Sequence, residues 1–288
     1  MLVPVQTSGE KPPLFFVHGL HGVMPLGRIF AEGLGPNQPL YAVHANGIDG
    51  RRPVIDNMRD MVRAYVDEIQ EACPTGRLVI GGMCDGGPTA IEIARELRGK
   101  GRHVGPVILA DPPAIPRVFQ KGNPLNDPQR PQIAQQLRER LHQQLLAYAS
   151  RPYNDMPFEA DDPKQLELAV LAGVGSLVAL SRHVPRPFPG SAQLIVSDRR
   201  AGAFFHPEMH WHKLLPGPRM VHVLPWDHIQ LFRAGRENVA RALKFMLEEA
   251  PKLEMLAERQ TEPDAPVIER LARAIDDAAL QLAANHEN

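Results

Sequence analysis

Arg77-Leu-Val-Ile-Gly-Gly-Met-Cys-Asp-Gly-Gly-Pro88 decides how this chain is read. A short apolar run, Leu78-Val79-Ile80, meets four glycines with Cys84 among them, and a helix-compatible segment follows from Pro88 to Arg98. Strand, sharp turn and helix in that order put the Cys84 side chain on a tight corner. That is the geometry of a nucleophile elbow, written Gly-x-Cys-x-Gly where Gly-x-Ser-x-Gly is more usual. Gly82 and Gly86 flank the cysteine where such a corner leaves no room for side chains. Pro88 suits a first helical turn, since its missing N–H would be unpaired there anyway. Most free cysteines are small buried hydrophobes; the strand before this one and the helix after it favour the nucleophile.

Outward from the elbow, strands alternate with helices. Leu14-Phe-Phe-Val17 is a continuous apolar run, as expected of a strand buried on both faces. It leads into His18-Gly-Leu-His-Gly22 and a helical stretch from about Leu26 to Leu34, and Pro39-Leu-Tyr-Ala-Val43 is the next strand. Apolar residues at Met58, Met61, Val62, Tyr65, Val66 and Ile69 predict an amphipathic helix over 56–72. After the elbow helix, Pro106-Val-Ile-Leu-Ala110 ends in Asp111-Pro-Pro113. This alternation predicts an α/β fold with a mostly parallel sheet covered on both faces. The rhythm breaks at 114–188, where no buried-strand run occurs and helical stretches fall at 131–149 and 163–182. The block reads as a helical lid inserted over the site. Ala192-Gln-Leu-Ile-Val196 and Met220-Val-His-Val-Leu224 restore the alternation before a last core helix at 236–248.

The expected organisation is therefore a linker or edge strand at 1–13, a core at 14–113 and 189–250, the lid at 114–188, and a helical tail at 251–288. In the tail, Ile268, Leu271, Ile275, Ala278 and Leu282 form a seam spaced by three and four. At barely two heptads it reads first as a surface helix, with a homodimer through this helix as the alternative. Arg and Gln at 129–144 read as a solvated face, with docking of a partner protein as the alternative.

With 288 residues and 43% hydrophobic content the chain can bury one large core, and a net charge of −1 argues against nucleic acid or an anionic membrane as partner. No run approaches the length of a transmembrane helix, and no secretory signal is visible at the N-terminus. Two cysteines, Cys73 and Cys84, give no disulfide framework and suit a reducing cytoplasm. Cys73, before Pro74, reads as a packing residue.

A cysteine nucleophile needs a base, a group to orient that base, and donors for an oxyanion. Among 12 histidines, His228 in Leu224-Pro-Trp-Asp-His-Ile-Gln230 gains weight by following the last strand, after the nucleophile in chain order. His206-Pro-Glu-Met-His-Trp-His212 suggests a metal site at first sight, but no matching fourth ligand is evident, so no metal is expected. Two acids end strands: Asp111, held before two prolines with no charged neighbour, and Asp198, beside Arg199 and Arg200. Asp111 is the favoured one. The expected oxyanion donors are the backbone N–H groups of Asp85 and of Leu20 or its neighbour Gly19. A helix N-terminus behind the corner also favours a thiolate at Cys84.

With these residues in place, the chain resembles a type I thioesterase domain of polyketide and nonribosomal peptide synthetases, an α/β-hydrolase. The resemblance runs from about Pro12 to Ala250. It rests on Pro13-Leu-Phe-Phe-Val-His-Gly, Gln38-Pro-Leu-Tyr-Ala-Val, Gly81-Gly-Met-Cys-Asp-Gly-Gly, Val107-Ile-Leu-Ala-Asp and Leu224-Pro-Trp-Asp-His. It implies an acyl or peptidyl chain delivered on the phosphopantetheine arm of a carrier protein, with no cofactor of the domain's own. It also places the acid after the strand following the elbow. The departure is cysteine for serine, so the stored chain would be a thioester, more reactive towards amines than an oxyester. Release by cyclisation, or by amide or ester formation, is then expected to matter more than hydrolysis. The competing reading is a small-molecule hydrolase resembling dienelactone hydrolase, with Cys84, His228 and Asp198. A non-catalytic binding domain is a third.

Overall fold

A computed structural model describes residues 1–113, 131–149, 162–198 and 211–260. Its seven strands are β1 (Leu2–Gln6), β2 (Leu14–Val17), β3 (Leu40–Val43), β4 (Val79–Met83), β5 (Val107–Ala110), β6 (Ala192–Ser197) and β7 (Arg219–Leu224). They form one sheet in the order β1-β3-β2-β4-β5-β6-β7. All pairings are parallel except that of β1, which lies antiparallel to β3. Residues 2–6 are thus an edge strand, the second of the two readings open for the N-terminus.

The apolar run of β2 has the expected cause. Phe15 and Val17 face a core shared with helices α2 (Met58–Ala72) and α3 (Gly86–Gly99). Leu14 and Phe16 face a second core under α1 (Gly27–Leu34) and α8 (Arg236–Gln260). A strand that packs on both faces has no polar positions to alternate. α2 starts where Asn57 accepts a bond from the Asp60 N–H at 2.9 Å, and it buries the six apolar residues named from its spacing. The last helix runs past the expected end at 248 to Gln260, with Pro251 inside it. The seam from Ile268 to Leu282 lies outside the described residues.

The insertion after β5 contains two long helices, α4 (Pro131–Ala149) and α5 (Pro163–Arg182). In α4, Leu141 and Leu145 are buried while Gln135, Arg138, Arg140 and Gln143 are exposed. By length and composition, α5 is apolar enough to cross a membrane, which corrects the expectation that no run reaches that length. Lys164 and Glu167 interrupt its first turns and mask the run in sequence. In the fold, Leu166, Ala169, Val170 and Ala172 pack with Val23, Ala45 and Ile48, from the loops after β2 and β3.

The chain returns from α5 to the sheet along α3. Glu92 of α3 lies 3.4 Å from His183 and 3.2 Å from Arg95, with Arg186 at 3.9 Å. Burial raises the Glu92 carboxyl, but the bond to His183 and the charges of Arg95, His183 and Arg186 outweigh it and leave the pKa lowered. The guanidinium of Arg98 lies over the Phe188 ring at 5.1 Å. This cluster ties the end of the insertion to the helix that carries the elbow.

Candidate active site

The carboxyl ends of β2, β4, β5 and β7 converge where the strand order reverses around β2. In a parallel sheet, this is where loops from neighbouring strands splay apart and leave a crevice. Cys84 follows β4 directly and begins the turn into α3. Its backbone is left-handed, φ +48°, and its N–H donates to the Ala110 carbonyl at 2.8 Å. The turn closes with the Gly87 N–H on the Cys84 carbonyl at 3.0 Å. A Cβ at Gly82 would overlap the Gly86 carbonyl, and one at Gly86 would overlap that of His18. Both positions therefore exclude any side chain, for the reason inferred from the motif.

His228 is the first residue of α7 (His228–Leu231), a short turn after β7. Asp227 caps it, accepting the N–H bonds of Ile229 at 3.0 Å and Gln230 at 2.8 Å, and so fixes where the imidazole starts. Nε2 of His228 lies 3.3 Å from Cys84 Sγ, and Nδ1 lies 2.6 Å from Asp111 Oδ2. Phe232 stands edge-on to the imidazole with ring centroids 5.6 Å apart.

Asp111 follows β5 and is fully buried. It also has a left-handed backbone, φ +47°; among the described residues, Cys84 and Asp111 are the two non-glycines with positive φ. Such a backbone stores about 1–3 kcal/mol per residue, held in place by the surrounding fold. Ser197, at the end of β6, donates its N–H to Asp111 Oδ1 at 2.9 Å and its hydroxyl to Oδ2 at 3.2 Å. Sequence reasoning missed Ser197, because a serine ending a strand carries no signal until its neighbour across the sheet is known. Asp198 is exposed one residue further on. A carboxylate only accepts, so across the 2.6 Å contact Nδ1 is the donor and its proton points at Asp111 Oδ2.

The loop after β2 reaches the elbow from the other side. A Cβ at Gly19 would lie 3.5 Å from Cys84 Cβ, so this backbone touches the corner itself. His18 anchors it: its Nδ1 lies 2.7 Å from the Gly19 carbonyl and its Nε2 3.0 Å from the Tyr65 hydroxyl. A carbonyl only accepts, so Nδ1 carries the proton and Nε2 accepts from Tyr65. Burial pushes the pKa of His18 down to about 4, against the opposing effect of the Gly19 bond, and keeps it neutral. His18, without a role in the sequence reading, is thus a buried prop for the loop that holds Leu20. Of the other histidines, His206 and His210 lie outside the described residues, and His212 falls in α6 (Trp211–Leu214). Among the described residues there is no cluster of three groups able to hold a metal ion.

Sheet, elbow and the Cys84–His228–Asp111 contacts together define an α/β-hydrolase. Within that class the chain belongs to the thioesterase domain family, whose model matches residues 12–246. It is 35% identical over 115 residues to the atromentin synthetase of Tapinella panuoides, covering 40% of this chain and 12% of that protein. It is 31% identical over 119 residues to a dimodular nonribosomal peptide synthase of Bacillus subtilis (strain 168), covering 41% of this chain and 5% of that protein. The chain therefore spans a small fraction of either relative. Among solved structures, a Vlm2 thioesterase domain bound with a dodecadepsipeptide superposes with a TM-score of 0.61 at 22% identity, over 85% of this chain and 98% of that one. At that identity the likeness is one of fold.

Proposed function

We propose that Cys84, His228 and Asp111 are a catalytic triad that takes an acyl or peptidyl chain from the phosphopantetheine thiol of a carrier protein and releases it from a Cys84 thioester. The observation that carries this reading is the continuous contact from Cys84 Sγ through His228 to the buried Asp111, on an elbow within a thioesterase-family chain.

His228 Nε2 takes the thiol proton as Sγ adds to the carbonyl carbon of the incoming thioester. The charge that develops on the carbonyl oxygen meets the N–H groups of Asp85 and Leu20. Collapse breaks the bond to the carrier sulfur, which leaves with the proton held by His228. In the second half an amine, hydroxyl or water gives its proton to His228 and attacks the Cys84 thioester. The Cys84 sulfur then leaves and recovers that proton. Asp111, charged and facing Nδ1, stabilises the imidazolium in both halves.

A thioester at Cys84 keeps the chain more reactive towards amines than an oxyester would. The helical insertion, acting as a lid, would keep water from competing. Amide formation or ring closure is thus the favoured release, with hydrolysis the slower outcome.

Intact-mass analysis after mixing the protein with acyl-carrier thioesters tests both halves. The expected result is an adduct of the acyl mass, absent in Cys84→Ala. Cys84→Ser is expected to load and then hold its chain longer. Release of the same product by Cys84→Ser at the wild-type rate would refute the thioester argument. Adduct formation in Cys84→Ala would refute the nucleophile itself.

A further inference from the structure

The Leu20 N–H has no hydrogen-bond partner among the described residues, although the peptide that carries it is held firmly on its other side. That peptide joins Gly19 to Leu20. Its carbonyl, on Gly19, takes two bonds: one from the Gly22 N–H at 3.1 Å and a shorter one from His18 Nδ1 at 2.7 Å. A trans peptide is planar, and its C=O and N–H point in opposite directions. Whatever fixes the Gly19 carbonyl therefore fixes the direction of the Leu20 N–H. Bonds to that carbonyl also polarise the amide, which makes its N–H a stronger donor.

His18 is itself clamped. Its backbone N–H donates to the Val43 carbonyl at 3.0 Å, and its own carbonyl fills the place where a Cβ at Gly86 would fall. The imidazole is buried, and Nε2 accepts from the Tyr65 hydroxyl at 3.0 Å. Tyr65, buried on α2, meets the imidazole edge-on with ring centroids 6.2 Å apart. Its hydroxyl also has a bond to the Asn46 backbone that opposes the rise in pKa caused by burial, as a bond received from an N–H does. With the Asn46 N–H given to the Tyr65 oxygen, the Tyr65 proton is aimed at Nε2, and the one proton of the neutral imidazole stays on Nδ1. The bonds thus run in one direction, from Asn46 through Tyr65 and His18 to the Gly19 carbonyl.

We infer that Tyr65 is a positioning residue: through His18 Nδ1 it holds the Gly19–Leu20 peptide in the orientation that presents the Leu20 N–H as an oxyanion donor. The inference rests on the catalytic reading of Cys84 and Leu20 given above. Loss of a whole oxyanion donor slows turnover by about a hundredfold to a thousandfold. Tyr65→Phe removes one neutral hydrogen bond from the chain and leaves the imidazole and the Gly22 bond in place, so kcat is expected to fall by about threefold to tenfold with KM little changed. His18→Leu removes the Nδ1 donor itself and is expected to fall further, by about twentyfold. His18→Asn, whose NH2 group can stand in the place of Nδ1, is expected to recover part of that loss.

Two reactions of Cys84 separate positioning from a general loss of structure. Acylation by an N-acetylcysteamine thioester forms an oxyanion, whereas alkylation by iodoacetamide needs the nucleophile and base and forms none. The expected result is acylation slowed in the order Tyr65→Phe, His18→Leu, with alkylation unchanged in both. Wild-type acylation in Tyr65→Phe, equal slowing of both reactions, or a His18→Asn protein no faster than His18→Leu would overturn the inference. Thermal melts show whether a lost rate comes from unfolding. If His18→Leu is unfolded at assay temperature, Tyr65→Phe decides by the same split between the two reactions, and an unfolded Tyr65→Phe would itself count against a positioning role. Leu20→Pro deletes the N–H and tests the reading on which the inference rests. Acylation of Leu20→Pro at the wild-type rate would remove Leu20 as an oxyanion donor, and failure of wild-type Cys84 to be acylated would overturn the catalytic reading.

Discussion

Replacing Asp111 by Asn keeps its shape and removes its charge, and the neighbouring donors determine how the new side chain sits. Ser197 offers two of them, its N–H at 2.9 Å and its hydroxyl at 3.2 Å. The N–H, which can only donate, holds the Asn carbonyl oxygen in the place of Oδ1, so the NH2 group takes the place of Oδ2 facing His228 Nδ1, and the Ser197 hydroxyl can turn to accept from it. Nδ1 must then accept, so the imidazole proton moves to Nε2, the atom 3.3 Å from Cys84 Sγ that has to receive a proton. The charge is lost as well. A carboxylate and an imidazolium with centres about 4 Å apart attract by about 4 kcal/mol at an effective dielectric of about 20. At 1.36 kcal/mol per tenfold, that is a loss of about a thousandfold in acylation rate, with the wrong tautomer adding to it. The measurement is single-turnover acylation of Cys84 from an N-acetylcysteamine thioester, followed by intact mass. Asp198→Asn, made in parallel at an exposed position, is expected to stay within about threefold of wild type. If Asp198→Asn were the slower enzyme, the Asp111 assignment would fall and the hydrolase reading with Asp198 as the acid would take its place.

Ser197→Ala removes one of the donors that orient Asp111. A hydrogen bond to a charged group is worth about 1.5–3 kcal/mol, so kcat is expected to fall by about tenfold or more, with KM little changed, in steady-state kinetics. Gly86→Ala drives a methyl group into backbone at His18 and is expected to lower stability by about 3 kcal/mol or more in urea melts. In the same helix, Gly99→Ala meets no atom within 4 Å and is expected to raise stability by up to about 1 kcal/mol. His44 is buried, neither ring nitrogen has a hydrogen-bond partner among the described residues, and burial pushes its pKa down to about 3. Its folded pKa lies below the unfolded value of about 6.5, so its contribution to stability is present above that value and is lost as pH falls. Between about pH 6.5 and about pH 5 the loss is about 2 kcal/mol. Urea melts near neutral pH and near pH 5 should therefore show His44→Leu losing about 2 kcal/mol less than wild type; an equal loss in both proteins would place the acid sensitivity elsewhere.

Much of this architecture is local in origin and so is legible in the sequence. The run Leu14-Phe-Phe-Val17 is apolar at every position because the strand packs on two faces, and no partner strand need be known to see that. The periodicity from Met58 to Ile69, the elbow glycines and helices α4 and α5 are likewise written within a few residues of themselves. Membership of the thioesterase domain family rests on motifs of that same local kind.

The site is different, because its members lie far apart in the chain: His228 is 144 residues from Cys84 and 117 from Asp111. Chain order makes His228 a good candidate, but Asp111 and Asp198 both end strands, and local pattern offers no distance between either one and an imidazole. The sheet order decides that, by laying β6 beside β5 so that Ser197 meets the Asp111 carboxylate. The same long-range packing bends Cys84 and Asp111 into left-handed backbone. It also turns His18, one histidine among many in the sequence, into the prop beneath the loop that lies against the elbow. Tyr65 belongs to this second kind: one more buried position in an amphipathic helix, until the fold lays its hydroxyl against His18. Sequence by itself determined which segments become strand, helix and elbow, since those depend on neighbours a few residues away. Tertiary structure alone decided which acid faces the histidine and what the inserted helix touches, since both depend on packing between segments far apart in the chain.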